Sequence, residues 1–288
     1  MTFLLVVSLL PAVVLCGYIY KKDRAEKEPI GLLLKLMLFG ALIAIPVVFF
    51  ELMTGSLIDA YFSDTITVTD DSVTYTDTTQ FIIYTILKNF IGVALFEEGF
   101  KFLVLYRVTK YNENFNSLFD GIIYAVFVSL GFAAIENVGY VFSMGVETGF
   151  FRAFTSVPGH MFFGVFMGYY YSWYHIYVKA GYYEKTLRRY GVLPYTEPPF
   201  KSSNYLFGAL AVPILVHGFY DFCLSLDSNM MVMIFFVFLL ALYFICFRRI
   251  NKMSKADFSD VNYAYSLLVK KYRGYENVIY DYFIQSGV

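Results

Sequence analysis

Long apolar runs separated by short polar stretches dominate this 288-residue chain. Seven of them approach the ~20 residues that a helix needs to cross the hydrocarbon core of a bilayer. They fall at 3–20, 30–50, 89–107, 118–143, 152–178, 204–226 and 229–249. Lys88 and Asn89 interrupt the third, so 81–88 reads as an interfacial approach and 89–107 as the crossing. The stretch 52–80 is a loop rich in Thr and Asp (Asp59, Asp64, Asp70, Asp71, Asp77), and its alternation Thr65-Ile66-Thr67-Val68-Thr69 fits a short hairpin strand. Residues 254–288 mix Tyr, Leu and Ile with Lys at helical spacing, as in an amphipathic helix on a membrane surface. The predicted fold is all-α: a polytopic transmembrane bundle of about seven spans over 1–250, followed by a cytosolic or interfacial tail over 251–288.

Composition agrees. The chain is 58% hydrophobic and 16% charged, against about 45–50% and about 25% in soluble domains. Aromatics reach 21% and the net charge is −1. That balance excludes a soluble enzyme, a disordered chain and a nucleic-acid partner, and makes the bilayer the surroundings. Cys16, Cys223 and Cys246 each sit alone in an apolar run and form no paired motif. The segments 21–29, 107–117, 179–203 and 248–288 hold 18 of the 22 Lys and Arg residues, whereas the opposite side carries only Arg152. Positive charge marks the cytosolic side, so the N-terminus is expected outside and the C-terminus inside a cell membrane. The first run is read as a retained span because its positive charges, Lys21, Lys22, Arg24 and Lys27, follow it.

Ionisable side chains within spans cost several kcal/mol on insertion scales and usually mark function. Here they form a set: Glu97, Glu98 and Lys101 in the third span, Glu136 in the fourth, His160 in the fifth, and His217 and Asp221 in the sixth. Counted from the external ends of the spans, they lie in one outer layer, within about one helical turn of one another. Lys101 is i,i+4 from Glu97 and i,i+3 from Glu98, so its ammonium can neutralise one carboxylate while the other faces a different partner. His217 and Asp221, also i,i+4, can pair or bind one ion together. Pro158 and Pro213 bend helices beside these groups, and Gly164 and Gly168 offer a close-packing face. Glu51 and Glu147 are read as interfacial and solvated, and His175 as part of an aromatic belt.

Four carboxylates cannot all ionise in a low-dielectric layer with Lys101 alone opposite them. Either protons are shared, giving a Glu general base that activates water, or a cation binds. The cation reading is a zinc-type site with His160, His217 and Glu136 as ligands and one open position. No HExxH motif is present.

Glu97-Glu98-x-x-Lys101, Phe132-x-x-x-Glu136, His160 with Gly164, and His217-x-x-x-Asp221 together resemble the motif series of the PrsW intramembrane proteases. Tyr20-x-x-Asp23-Arg24 followed by Glu28-Pro29 resembles that family too, and the resemblance runs from about residue 18 to about 245. The related CAAX-prenyl and bacteriocin-processing proteases carry a histidine where this chain has Glu136. The resemblance implies cleavage of a membrane-anchored protein, typically an anti-sigma factor, near its extracytoplasmic side. On that reading Glu97, or else Glu98, takes a proton from water, assisted by Glu136 or a metal. His217, oriented by Asp221, serves the tetrahedral intermediate, and His160 is a ligand or a second polar support. Lys101, Asp221 and Asn137 support the site. The alternative is a proton- or ion-coupled transporter, which buried carboxylates and bent helices also suit.

Overall fold

A computed structural model describes the whole chain except residues 25, 69–72, 227 and 286–288. Asp70 and Asp71 of the acidic loop, and Thr69 of its alternating stretch, therefore lie outside the described residues. The architecture is a helical bundle. Among the described residues, six helical stretches are long and apolar enough to cross a membrane: Thr2–Lys22, Ile30–Tyr61, Thr78–Thr109, Asp120–Met144, Ser203–Ser225 and Asn229–Lys255. The expected fifth span falls on the 34-residue helix Ser156–Arg189, which is not among these six.

In chain order the helices are α1 (Thr2–Lys22), α2 (Ile30–Leu42), α3 (Ala44–Tyr61), α4 (Thr78–Ile86), α5 (Leu95–Thr109), α6 (Asp120–Met144), α7 (Val146–Phe154), α8 (Ser156–Arg189), α9 (Ser203–Ser225), α10 (Asn229–Lys255), α11 (Asp260–Lys271) and α12 (Glu276–Gln285). A π-helical stretch, Leu87–Ala94, joins α4 to α5. Two short strands, β1 (Ile66–Val68) and β2 (Val73–Tyr75), pair antiparallel with Ile66 opposite Tyr75. This is the hairpin that the Thr/Ile/Val alternation predicts.

α6 is the axis of the bundle, buried without a break from Asp120 to Ala134. It packs most extensively on α8, then on α2 and α1. Two contacts explain how helices with so little charge approach so closely. A Cβ on Gly168 of α8 would lie 2.3 Å from the Gly121 carbonyl oxygen of α6, and one on Gly131 of α6 would lie 2.0 Å from the Met37 oxygen of α2. Only a hydrogen at those positions lets the backbones meet, which is how small residues drive helix association in lipid.

Three expected boundaries shift. The second span does not end at residue 50: it bends at Ile43, near Pro46, and continues as α3 to Tyr61. Lys88 and Asn89 do not interrupt the third span. Lys88 pairs with Asp59 at 2.7 Å, the Asn89 amide donates to the Thr85 carbonyl at 2.8 Å, and the helix widens into π geometry instead of breaking. The stretch 152–178 divides at Thr155 into α7 and α8. Pro158 has no N–H for the Phe154 carbonyl, which accepts from the Tyr243 hydroxyl at 2.9 Å.

The tail folds as two helices. Ala264, Leu268, Tyr272, Ile279 and Phe283 close a second apolar cluster on Ala180, Tyr183 and Leu187 of α8. His175 is a joint and not a belt residue: its ring stacks on Phe115 and its Nε2 lies 3.1 Å from Asp260 of α11.

The Asp23 and Glu28 motif pins the first loop onto α6. The Glu28 N–H donates to Asp23 Oδ2 at 2.9 Å, the buried Tyr124 hydroxyl donates to the Glu28 carboxylate, and both acids are almost fully enclosed. Burial, reinforced by nearby Asp120 and Asp23, pushes the Glu28 carboxyl up to about 8, against the partial opposition of the Tyr124 hydrogen bond. The folded state therefore holds a proton that the unfolded chain loses near pH ~4.3, and stability falls as pH rises from there to about 8. Glu28→Gln should flatten that slope in thermal unfolding of the detergent-solubilised protein. A wild-type curve with no fall across this window would contradict the assignment.

Candidate active site

Five helices deliver polar side chains to one place. α5 supplies Glu97, Glu98 and Lys101; α6 supplies Glu136 and Asn137; α7 supplies Arg152; α8 supplies His160; α9 supplies His217 and Asp221. The π stretch sets the register of α5 against α9. Phe90 packs so tightly on Gly218 that a Cβ there would meet the ring at 2.5 Å, and Ser225 donates to Asn89 Oδ1 at 3.1 Å. π turns recur at functional sites because they re-aim the side chains that follow them.

The centre is the Lys101 ammonium. It donates to Glu97 Oε2 at 2.8 Å, to Glu98 Oε1 at 2.8 Å and towards His160 Nδ1 at 3.1 Å, and it lies 4.2 Å from the centre of the Phe132 ring. Its three N–H groups are thereby used. An ammonium has no lone pair, so His160 Nδ1 must accept and Nε2 carries the hydrogen. That Nε2 is 2.7 Å from Glu136 Oε2. Phe132 and Glu136, one turn apart on α6, thus cover the ammonium and fix the imidazole next to it.

The second arm runs through His217. Its Nδ1 lies 3.0 Å from Glu98 Oε1, its Nε2 lies 3.2 Å from Asp221 Oδ2, and its ring stacks on Phe163. The two imidazoles stand edge to face, 5.4 Å apart. All the residues expected from the sequence are brought together in one connected network, Asn137 included: its side-chain oxygen accepts from Arg152 Nε at 3.0 Å, and its amide donates to the Ser8 carbonyl of α1 at 2.8 Å.

A cavity of about 710 Å³ opens onto this network. Glu97, Glu136, His160, His217 and Asp221 line it, whereas Glu98 does not and is completely enclosed. Two acids that are neighbours in sequence therefore differ in access: Glu97 stands at the cavity wall and Glu98 is sealed away from it.

Two charged lining residues are missed by sequence reasoning. Glu51 reaches the cavity because α3 extends past residue 50, so it is not a solvated loop acid. Arg152 is buried and its Nη2 lies 2.9 Å from Glu136 Oε2. The signal for Arg152 was present: it is the lone cation on an acid-rich side, and the buried Glu136 calls for a counter-charge.

Among the described residues, one group offers metal-type donors from three or more side chains: Glu97, Glu98 and His160, all within 4.8 Å of one another. By spacing alone it can hold an ion. The expected set of His160, His217 and Glu136 does not converge in this way, because His160 and Glu136 bond to each other and His217 turns to Glu98 and Asp221. The donors of the converging group already meet at the Lys101 ammonium, and each nitrogen of both imidazoles is within hydrogen-bonding distance of a charged side chain. As the side chains stand, the group holds the Lys101 ammonium, and an ion bound there would have to displace it.

Carboxylates, imidazoles and a buried cation facing a cavity inside a membrane bundle are the equipment of an intramembrane hydrolase. The pattern of the "PrsW family intramembrane metalloprotease" matches residues 28–247. The chain is 31% identical over 255 residues to Protease PrsW of Oceanobacillus iheyensis, covering 88% of this chain and 98% of that protein. It is 31% identical to the Clostridioides difficile Protease PrsW (86% and 90% covered) and 29% identical to that of Bacillus subtilis (76% and 81% covered). No solved structure matches. The chain belongs to the PrsW family of intramembrane proteases. It is a membrane-embedded hydrolase that acts on protein, and the transporter reading is set aside.

Removing one partner of a buried ion network strands the others, a loss of about 3–5 kcal/mol. Lys101→Met should therefore lower the thermal midpoint in detergent markedly. An unchanged midpoint would show that the ammonium is not the keystone of the cluster.

Proposed function

We propose that the protein cuts a single-span, anti-sigma-factor-like membrane protein close to the external face of a cell membrane, with Glu97 as the base that activates water. The observation that carries this reading is the division of labour between the adjacent acids. Glu97 faces the cavity, and Glu98 is sealed behind it on Lys101 and His217.

In the proposed reaction, a water in the cavity gives its proton to the Glu97 carboxylate as its oxygen attacks the peptide carbonyl carbon. The developing oxyanion takes a hydrogen bond from His217 Nε2–H, whose resting contact to Asp221 is the longer of its two at 3.2 Å. Asp221 orients that hydrogen at rest, and Glu98 on Nδ1 keeps the ring aligned as it is redirected. Glu97 then passes its proton to the leaving nitrogen as the C–N bond breaks. Glu136 and His160 complete the wall opposite and hold the tautomer that keeps Lys101 in place. An ion bound at Glu97, Glu98 and His160 would supply Lewis-acid chemistry; no step here is routed through it.

Charge placement supports an external N-terminus, a cytosolic C-terminus and a cavity opening outward. We read the chain as a protease unit of about 1–250 and a tail over 251–288 that docks on α8, with α10 running on to Lys255.

Cleavage of a single-span substrate in proteoliposomes tests the reading. Glu97→Gln should lower kcat by ~10²–10⁴-fold, the usual worth of a positioned general base, and activity should persist in chelator. Full activity of Glu97→Gln would exclude Glu97 as the base. Loss in chelator with rescue by zinc would replace the ammonium-centred mechanism with a metal one.

A further inference from the structure

Arg152 stands outside every motif that the family resemblance supplies, yet it is built into the site from three sides. Its Nε donates to Asn137 Oδ1 at 3.0 Å, its guanidinium lies 3.9 Å from the centre of the Tyr140 ring, and its Nη2 is 2.9 Å from Glu136 Oε2. Asn137 is in turn tied to the Ser8 carbonyl of α1, so the fork is braced by two helices besides its own.

Arg152 and His160 meet the same oxygen of Glu136, Oε2, at 2.9 and 2.7 Å. An ion pair from the Arg152 guanidinium and a hydrogen bond from His160 Nε2–H meet on this one oxygen and hold the carboxylate in place. Its other oxygen, Oε1, has no protein hydrogen bond among the described residues, and Glu136 lines the cavity. A planar fork does this better than a point charge, since it can hold Glu136 and Asn137 at once.

The helix that carries Arg152 explains its position. α7 is entered through Gly145, whose φ of 92° lets the chain turn sharply out of α6. One face of α7 is aromatic and open, with Phe150, Phe151 and Phe154 exposed; the other buries Gly149 and Arg152. Such a helix rests its aromatic side in the lipid interface and turns its cation inward.

We propose that Arg152 is a positioning residue for peptide hydrolysis, acting through Glu136, which it holds with one carboxylate oxygen presented to the cavity. This rests on the hydrolytic reading above, and Glu97→Gln, measured in the same liposomes, reports separately on that reading. A double-mutant cycle on kcat and KM provides the test. Arg152→Gln should lower kcat by up to ~10²-fold, as a misplacement relayed to the chemistry from outside it does, with KM little changed. In a Glu136→Gln background the same substitution should cause no further loss, because its route to the chemistry is already cut. Arg152→Lys should recover part of the activity by restoring the charge beside Glu136. Should Arg152→Gln fail to survive extraction, Asn137→Ala, which releases Nε but keeps the charge, enters the same cycle and should also be silent in the Glu136→Gln background. Arg152→Gln with wild-type kcat while Glu97→Gln is inactive, or equal losses with and without Glu136, would overturn the assignment.

Discussion

A single ammonium group, buried to the last atom, sets the terms for the rest of this molecule. Lys101 has no exposed surface, and two carboxylates and an imidazole share its three hydrogens. Stripping an ammonium of water is expensive, and in lipid nothing but other protein groups can offset it. Once the charge is there, the sequence around it is constrained: acids at i−4 and i−3, an aromatic face from α6, a tautomer-locked histidine from α8. The carboxylates need the cation as much as it needs them. What results is a stiff polar core in a bundle whose other contacts are mostly non-directional.

From that centre, polar contacts run outward along two arms, one through His160 and Glu136 to Arg152, the other through Glu98 and His217 to Asp221. Both arms end at the cavity wall. Direct pairing of this kind lets acids and bases stay in place without water between them, so that bound water and substrate meet groups already oriented. A second polar cluster, around Asp23, Glu28, Tyr124 and Asp120, sits near the start of α6, some 24 Å along the helix from Glu136 at 1.5 Å per residue. Its motif residues fasten a loop.

The helical bundle and the polar layer were legible in the sequence, because an acid or histidine in an apolar run is a loud signal and span ends give its depth. Glu97, Glu136, His160, His217 and Asp221 were placed that way, and they do meet. What the one-dimensional pattern hid depends on contacts between distant segments. Lys88 looks like a helix end until Asp59 of α3 is found beside it. Glu51 looks solvated because nothing local shows that α3 continues past it. Arg152 reads as a span-end cation because the break at Thr155, which sets α7 apart from α8, follows from a proline three residues ahead and a hydroxyl on α10. Which of two adjacent acids faces water was equally hidden: they differ by ~100° around a helix, and only the position of the cavity decides between them.

The central claim concerns what lies between Glu97, Glu98 and His160. Diffraction from crystals grown with zinc, with an anomalous map recorded at the zinc edge, would observe it directly. The account predicts Lys101 Nζ within hydrogen-bonding distance of all three side chains and no anomalous peak among them. A peak ligated by those donors, with the lysine turned aside, would contradict it.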